Sequence, residues 1–161
     1  MYYNYFDKIL NILLKILHIY NIIEVSMNTK EAIKILVELF SGFILHSEFL
    51  EELSHLLKRE LKGQEKRFFN SLTTQLKNIK SFGRLVNTVD DNEVLKGYDG
   101  HYYSIHIEYK TCNIRLLVYI DDSGKPYFLS CFYERAGKRK TAYTSNTEIL
   151  SKRLSELMED E

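Results

Sequence analysis

HYYSIHIEYKTCNIRLLVYIDDSGKPYFLSCFYE, residues 101–134, is the stretch that decides the fold. Tyr103, Ile105, Ile107 and Tyr109 alternate with Ser104, His106, Glu108 and Lys110, which is the two-residue period of a strand. Ile114, Leu116, Val118 and Ile120 then alternate with Arg115, Leu117 and Tyr119, and Tyr127, Leu129, Cys131 and Tyr133 with Phe128, Ser130, Phe132 and Glu134. Asp121-Asp122-Ser123-Gly124 is a strong turn signal between the second and third runs. Three adjacent strands with short turns predict an antiparallel meander.

Working towards the N-terminus, the period becomes helical. Phe69, Leu72, Leu76 and Ile79 mark one face of a helix that Gly83 ends. Phe49, Leu50, Leu53, Leu56, Leu57 and Leu61 mark the helix before it, with Ser47 as its expected N-cap and Gly63 as the break. Together they predict an αα-hairpin. The short apolar run Phe43 to His46 has the character of one more strand. Towards the C-terminus a basic loop, Arg135 to Lys140, leads to a last helix with Ile149, Leu150, Leu154 and Leu157 on its apolar side. Ser145 and Glu148 are spaced as a capping box for it. The fold class expected is therefore α+β: an antiparallel meander packed on an αα-hairpin, a C-terminal helix, and an N-terminal helical extension. Residues 1–42 make up that extension and residues 43–161 the main domain. Only one face of the sheet is expected to meet the hairpin, which would leave Arg115 on an open face opposite Ile114 and Leu116.

The first 26 residues are mostly Ile, Leu, Tyr and Asn. Met1 to Asp7 lacks the basic start of a secretory signal, and no small-residue cleavage site follows. Asn11, Lys15, His18 and Asn21 interrupt the apolar run along one narrow helical stripe, so it is not a clean membrane span. A helix packed on the domain or a partner, a membrane-surface helix, and translation from Met27 are the three readings, the first preferred. Composition is that of a soluble globular protein: 45% apolar, 27% charged, with 22 basic and 22 acidic residues, and the two cysteines fit a reducing cytoplasm. Zero net charge means that any polyanion must be met by local clustering. Two cysteines (Cys112 in an expected turn, Cys131 in a strand) and five histidines without ligand spacing call for neither a disulfide framework, a metal nor a cofactor.

The order helix, helix, three strands, basic loop, helix resembles the RelE/HigB toxins of bacterial type II toxin–antitoxin pairs. The motifs that carry the likeness are Leu95-Lys96-Gly97 before the meander, Arg115-Leu-Leu-Val-Tyr119 in its second strand, and Phe132 to Lys140 running into the last helix, Glu148 to Leu157. The resemblance covers about two thirds of the chain. It implies a ribosome-dependent endoribonuclease that cuts mRNA in the A site, with a cognate antitoxin as partner. In that chemistry the 2′-hydroxyl attacks the neighbouring phosphate without a metal, which requires a base, an acid and cations on the phosphorane. By the same resemblance Arg115, Arg139 and Tyr143 are the catalytic candidates, and Arg135, Lys138 and Lys140 the RNA contacts. The spacing to Tyr143 is shorter than the family pattern, and no histidine follows His106. His101 and His106 are further candidates for the base or for RNA contact.

Each has a structural alternative. A mid-strand arginine often serves only an ion pair, a basic run is usually a solvated loop, and in a chain of 12 tyrosines Tyr143 reads as a packing residue; both histidines read more naturally as structural. Two other functions suit the same fold: a ParE-like gyrase inhibitor, and a non-catalytic, phage-derived interaction module.

Overall fold

The computed structural model describes residues 40–61, 63–135 and 148–159. The backbone separates into two compact units after Ser41; the five strands and three α-helices described all belong to the second. The helices expected within residues 1–39 lie outside the described residues. Among the described residues no helix is long and apolar enough to cross a membrane.

The chain enters the second unit through strand β1, Ile44–Leu45, where the short apolar run predicted it. Helix α1 follows, Ser47–Arg59. Its N-cap is His46 and not Ser47: the imidazole Nδ1 accepts the Glu48 N–H at 3.2 Å. Phe49, Leu50, Leu53, Leu56 and Leu57 are buried along its length. Helix α2 runs from Glu65 to Phe82. It buries Phe68, Leu72, Leu76 and Ile79, so the aromatic residue at its core is Phe68, one place before the Phe69 that simple periodicity selects. Phe69 is half-buried, and the two rings meet edge to face at 5.7 Å. Gly83 ends α2 with φ +51°, a backbone state that a side chain disfavours, and its N–H still reaches the Ile79 carbonyl. A 3-10 turn, Gly83–Thr88, carries the chain to the sheet.

Strand β2 is Glu93–Val94, β3 Tyr102–Tyr109, β4 Cys112–Ile120 and β5 Pro126–Tyr133. The last three are the predicted meander, although Cys112 opens β4 and does not lie in the turn. The sheet has five strands in the order β1-β5-β4-β3-β2. Its neighbours are antiparallel except β1 and β5, which run parallel. The β4–β5 register slips between Leu117, opposite Ser130, and Val118, opposite Phe128. Leu129 is the residue left over, a β-bulge.

The sheet is covered on both faces. On one, Phe128 meets the rings of Phe43 and Phe49, each at 5.3 Å. On the other, Leu95, Tyr102, Leu117, Tyr127, Leu129 and Phe132 form a cluster with Leu150, Leu154 and Leu157 of helix α3, Leu150–Glu159. This helix starts later than the Ser145–Glu148 box predicts: Glu148 and Ile149 are in a turn, and Ser145 lies outside the described residues. The second apolar layer also explains why Leu117 and Phe132 are apolar where strict alternation would place polar groups.

Two short edge strands leave the long strands partly unpaired, and side chains complete them. Past β1, Glu52 Oε2 accepts the Cys131 N–H at 2.9 Å and the Ser130 hydroxyl at 2.8 Å, while Arg153 Nη1 donates to the Leu129 carbonyl at 2.8 Å. Past β2, Asn92 Oδ1 accepts the His106 N–H at 2.8 Å, and Asn92 Nδ2 donates to Gln75 of α2 at 3.0 Å. Backbone groups that would otherwise template a foreign strand are thereby satisfied.

Candidate functional site at the charged end of the sheet

Arg115 lies midway along β4, opposite His106 on β3 and Phe132 on β5. Its position in the alternation sends it to the face opposite Ile114 and Leu116, as expected, and that face is the α3 side of the sheet. That side is not open, however, and Arg115 is only 4% exposed. Two carboxylates hold its guanidinium. Nε donates to Glu134 Oε2 at 2.6 Å, and Nη2 donates to Glu108 Oε2 at 3.2 Å. Both glutamates sit diagonally from Arg115, two residues beyond its direct cross-strand partners and towards the β3–β4 turn. The Glu134 side chain is buried with its partner at 7% exposure, whereas that of Glu108 is 52% exposed. Nη1 is buried and has no hydrogen-bond partner among the described residues, and the same holds for Asn113 Oδ1 on the same strand.

His106 is buried beside this group, with its Nε2 3.5 Å from Glu93 Oε1 on β2. The bond from its backbone N–H to Asn92 ties that part of β3 to α2 through Gln75. Glu93, His106, Glu108, Arg115 and Glu134 thus collect across one face of the sheet. A guanidinium can stabilise an oxyanion, and a carboxylate beside an imidazole can move a proton. Two carboxylates on one arginine, with a third beside His106, also make this surface far less cationic than Arg115 alone suggests.

Arg135 begins the basic loop directly after Glu134. Its side chain is exposed and pairs with Glu60, at the end of α1, at 3.1 Å. Lys138, Arg139, Lys140 and Tyr143 lie outside the described residues, so of the six residues assigned as catalytic or RNA-binding only Arg115 and Arg135 are described. His101 is at the opposite end of the sheet. Its Nδ1 is 3.0 Å from the Ile120 carbonyl, and its ring stacks on Tyr119 at 5.6 Å, contacts of a structural residue. Burial pushes the Cys112 and Cys131 thiols above the ordinary range, so neither is prepared as a nucleophile. Among the described residues no group of three or more His, Cys, Asp or Glu is placed to hold a metal.

Sequence reasoning passed over Glu93, Glu108 and Glu134. The alternation already put Glu108 with His106, and Glu134 with Phe132. Only the register brings both glutamates to Arg115. No protein-family model matches the chain, and no curated protein or solved structure matches it either.

Proposed function

We propose that the second unit is a toxin of the RelE/HigB kind, a metal-independent endoribonuclease that cuts mRNA in the ribosomal A site and is held in check by a cognate antitoxin protein in the cytoplasm. One observation carries the reading: the element order β1-α1-α2-β2-β3-β4-β5-α3, with Arg115, His106 and Glu93 on the sheet face beside the start of the basic loop. In this reading His106 takes the 2′-hydroxyl proton as general base and Glu93 stabilises the imidazolium that results. Arg115 and Arg139 stabilise the phosphorane, Tyr143 protonates the departing 5′-oxygen, and Arg135, Lys138 and Lys140 position the RNA backbone. The products are a 2′,3′-cyclic phosphate and a free 5′-hydroxyl. Induced expression without an antitoxin is expected to arrest translation and to leave A-site breaks in mRNA, mapped by primer extension; Arg139→Ala relieves both.

A second reading has its own support. Glu134 and Glu108 already neutralise Arg115, which suits a ParE-like toxin or an interaction module that binds protein rather than RNA. Growth arrest with intact mRNA and stalled replication would select the gyrase-directed form, and no arrest at all would leave the non-catalytic module.

A further inference from the structure

The guanidinium of Arg115 is buried yet incompletely bonded. Glu134 takes Nε, which turns the outer edge, Nη1 and Nη2, away from it. Glu108 reaches only Nη2, and Nη1 is left without a hydrogen-bond partner among the described residues. A buried donor without an acceptor is costly, and native structures rarely keep one without cause. The outer edge of a guanidinium matches two oxygens of a tetrahedral oxyanion, which bonds both nitrogens at once. A single carboxylate oxygen from a diagonal position does not. Glu108 is also the one member of the trio with half its side chain in solvent, so it can swing away with little loss of packing, while Glu134 stays locked.

We propose that Glu108 is a built-in competitor for an oxyanion site on Arg115: its carboxylate occupies Nη2 in the resting protein, and a phosphate group displaces it to bond Nη1 and Nη2 together. Glu134 is the positioning residue that keeps the outer edge of Arg115 aimed at this site. The inference rests on reading Arg115 as a phosphate ligand, and it adds a carboxylate that screens the site against anions that make no further contacts. Substrate selection follows, because Glu108 weakens the hold on every anion, so a lone phosphate binds loosely and a well-anchored RNA strand tightly.

The test is a titration of the whole chain with inorganic phosphate at constant ionic strength, reading the guanidinium N–H signals of Arg115 by NMR. Arg115→Lys identifies those signals by their loss. Glu108→Gln removes the competing charge and is expected to tighten phosphate binding by up to about fivefold, the scale of one half-exposed ion pair. Asp122→Asn, at the far end of the sheet with its side chain 86% exposed, removes the same charge and should leave the affinity unchanged. Equal tightening in both variants would reduce the effect to net charge and overturn the proposal. So would unchanged affinity in Glu108→Gln, or phosphate that leaves the Arg115 signals unmoved. Cleavage of ribosome-bound RNA is measured separately. If phosphate binding responds as expected and no variant cleaves RNA, the competitor role stands and the ribonuclease reading falls.

Discussion

Arg153 of the last helix donates through Nη2 to Glu52 Oε1 of the first helix at 2.7 Å, and the two side chains meet at the β5 edge beside the Leu129 bulge. Glu52 spends its other oxygen on Ser130 and the Cys131 N–H, and Arg153 spends Nη1 on the Leu129 carbonyl. One ion pair therefore closes the backbone of β5 and joins α1 to α3, elements more than ninety residues apart in the chain. Arg153 is 11% exposed and Glu52 26%, well short of full hydration, so breaking the pair leaves a charge and two backbone groups wanting.

Truncation of either partner is accordingly expected to cost more than a surface pair does. Arg153→Ala and Glu52→Ala should each lower stability by about 1.5–3 kcal/mol, the range for hydrogen bonds to charged groups. A double-mutant cycle by urea unfolding should give a coupling of about 1 kcal/mol or more. Additive losses would mean that each side chain contributes only through its own backbone contacts.

Phe68 and Phe69 make the sharpest comparison between pattern and packing. Phe68 is 0% exposed, whereas Phe69 is half-buried and covers its neighbour. Phe68→Ala should lose about 3–5 kcal/mol and Phe69→Ala clearly less. Thermal unfolding of the two variants side by side decides it, and similar losses would mean that the two rings share the core.

That pair also shows what the sequence makes legible. Leu72, Leu76 and Ile79 define a helix face, but a stripe three or four residues wide admits either aromatic residue at its start, and only the angle at which α2 meets the sheet chooses between them. The meander strands and the short strand at Phe43 to His46 were readable from alternation and turn residues, because those are local. The bulge at Leu129 was not, since it depends on the pairing of two strands. The burial of Arg115 was half readable. Leu116-Leu117-Val118-Tyr119-Ile120 is a continuous apolar run, the mark of a strand covered on both faces, and it argues against an open face. Which carboxylates meet Arg115 needed the register, because diagonal neighbours exist only once the strands are aligned.

His46 links the start of α1 to α3. With Nδ1 accepting the Glu48 N–H, its Nε2 carries the proton donated to Glu156 Oε2 at 3.0 Å. This hydrogen bond holds the Glu156 carboxyl below its ordinary value of 4.5. A depressed folded-state value favours the folded chain above pH 4.5 and loses that contribution as the pH falls through the lowered value. Urea midpoints measured from pH 6 to pH 3 should fall more steeply for the natural chain than for Glu156→Gln. His46→Ala should narrow the difference between them, leaving the smaller part that Lys152 supplies, and parallel curves for the natural chain and Glu156→Gln would show that the contact is not held in solution.

Arginine variants of the charged cluster need stability and activity to be read together. Arg115→Ala leaves Glu134 buried beside an empty space, and stranding one member of a buried pair costs about 3–5 kcal/mol. Lost activity in that variant alone would therefore say little about phosphate contact. Arg115→Lys keeps a positive charge on a flexible stem but not the fork that bonds two oxygens. It should stay largely folded, yet slow single-turnover cleavage of ribosome-bound mRNA by on the order of 100-fold, the scale seen when a preorganised donor is lost from a developing oxyanion. Arg139→Ala should slow the same step. Lys140→Ala should mainly weaken binding and flatten its salt dependence, with little change in rate at saturation. Equal losses of affinity in all three, with saturated rates intact, would make the whole cluster a docking surface. Full-rate cleavage by a folded Arg115→Lys would remove Arg115 from the chemistry and leave it as the bolt between two glutamates.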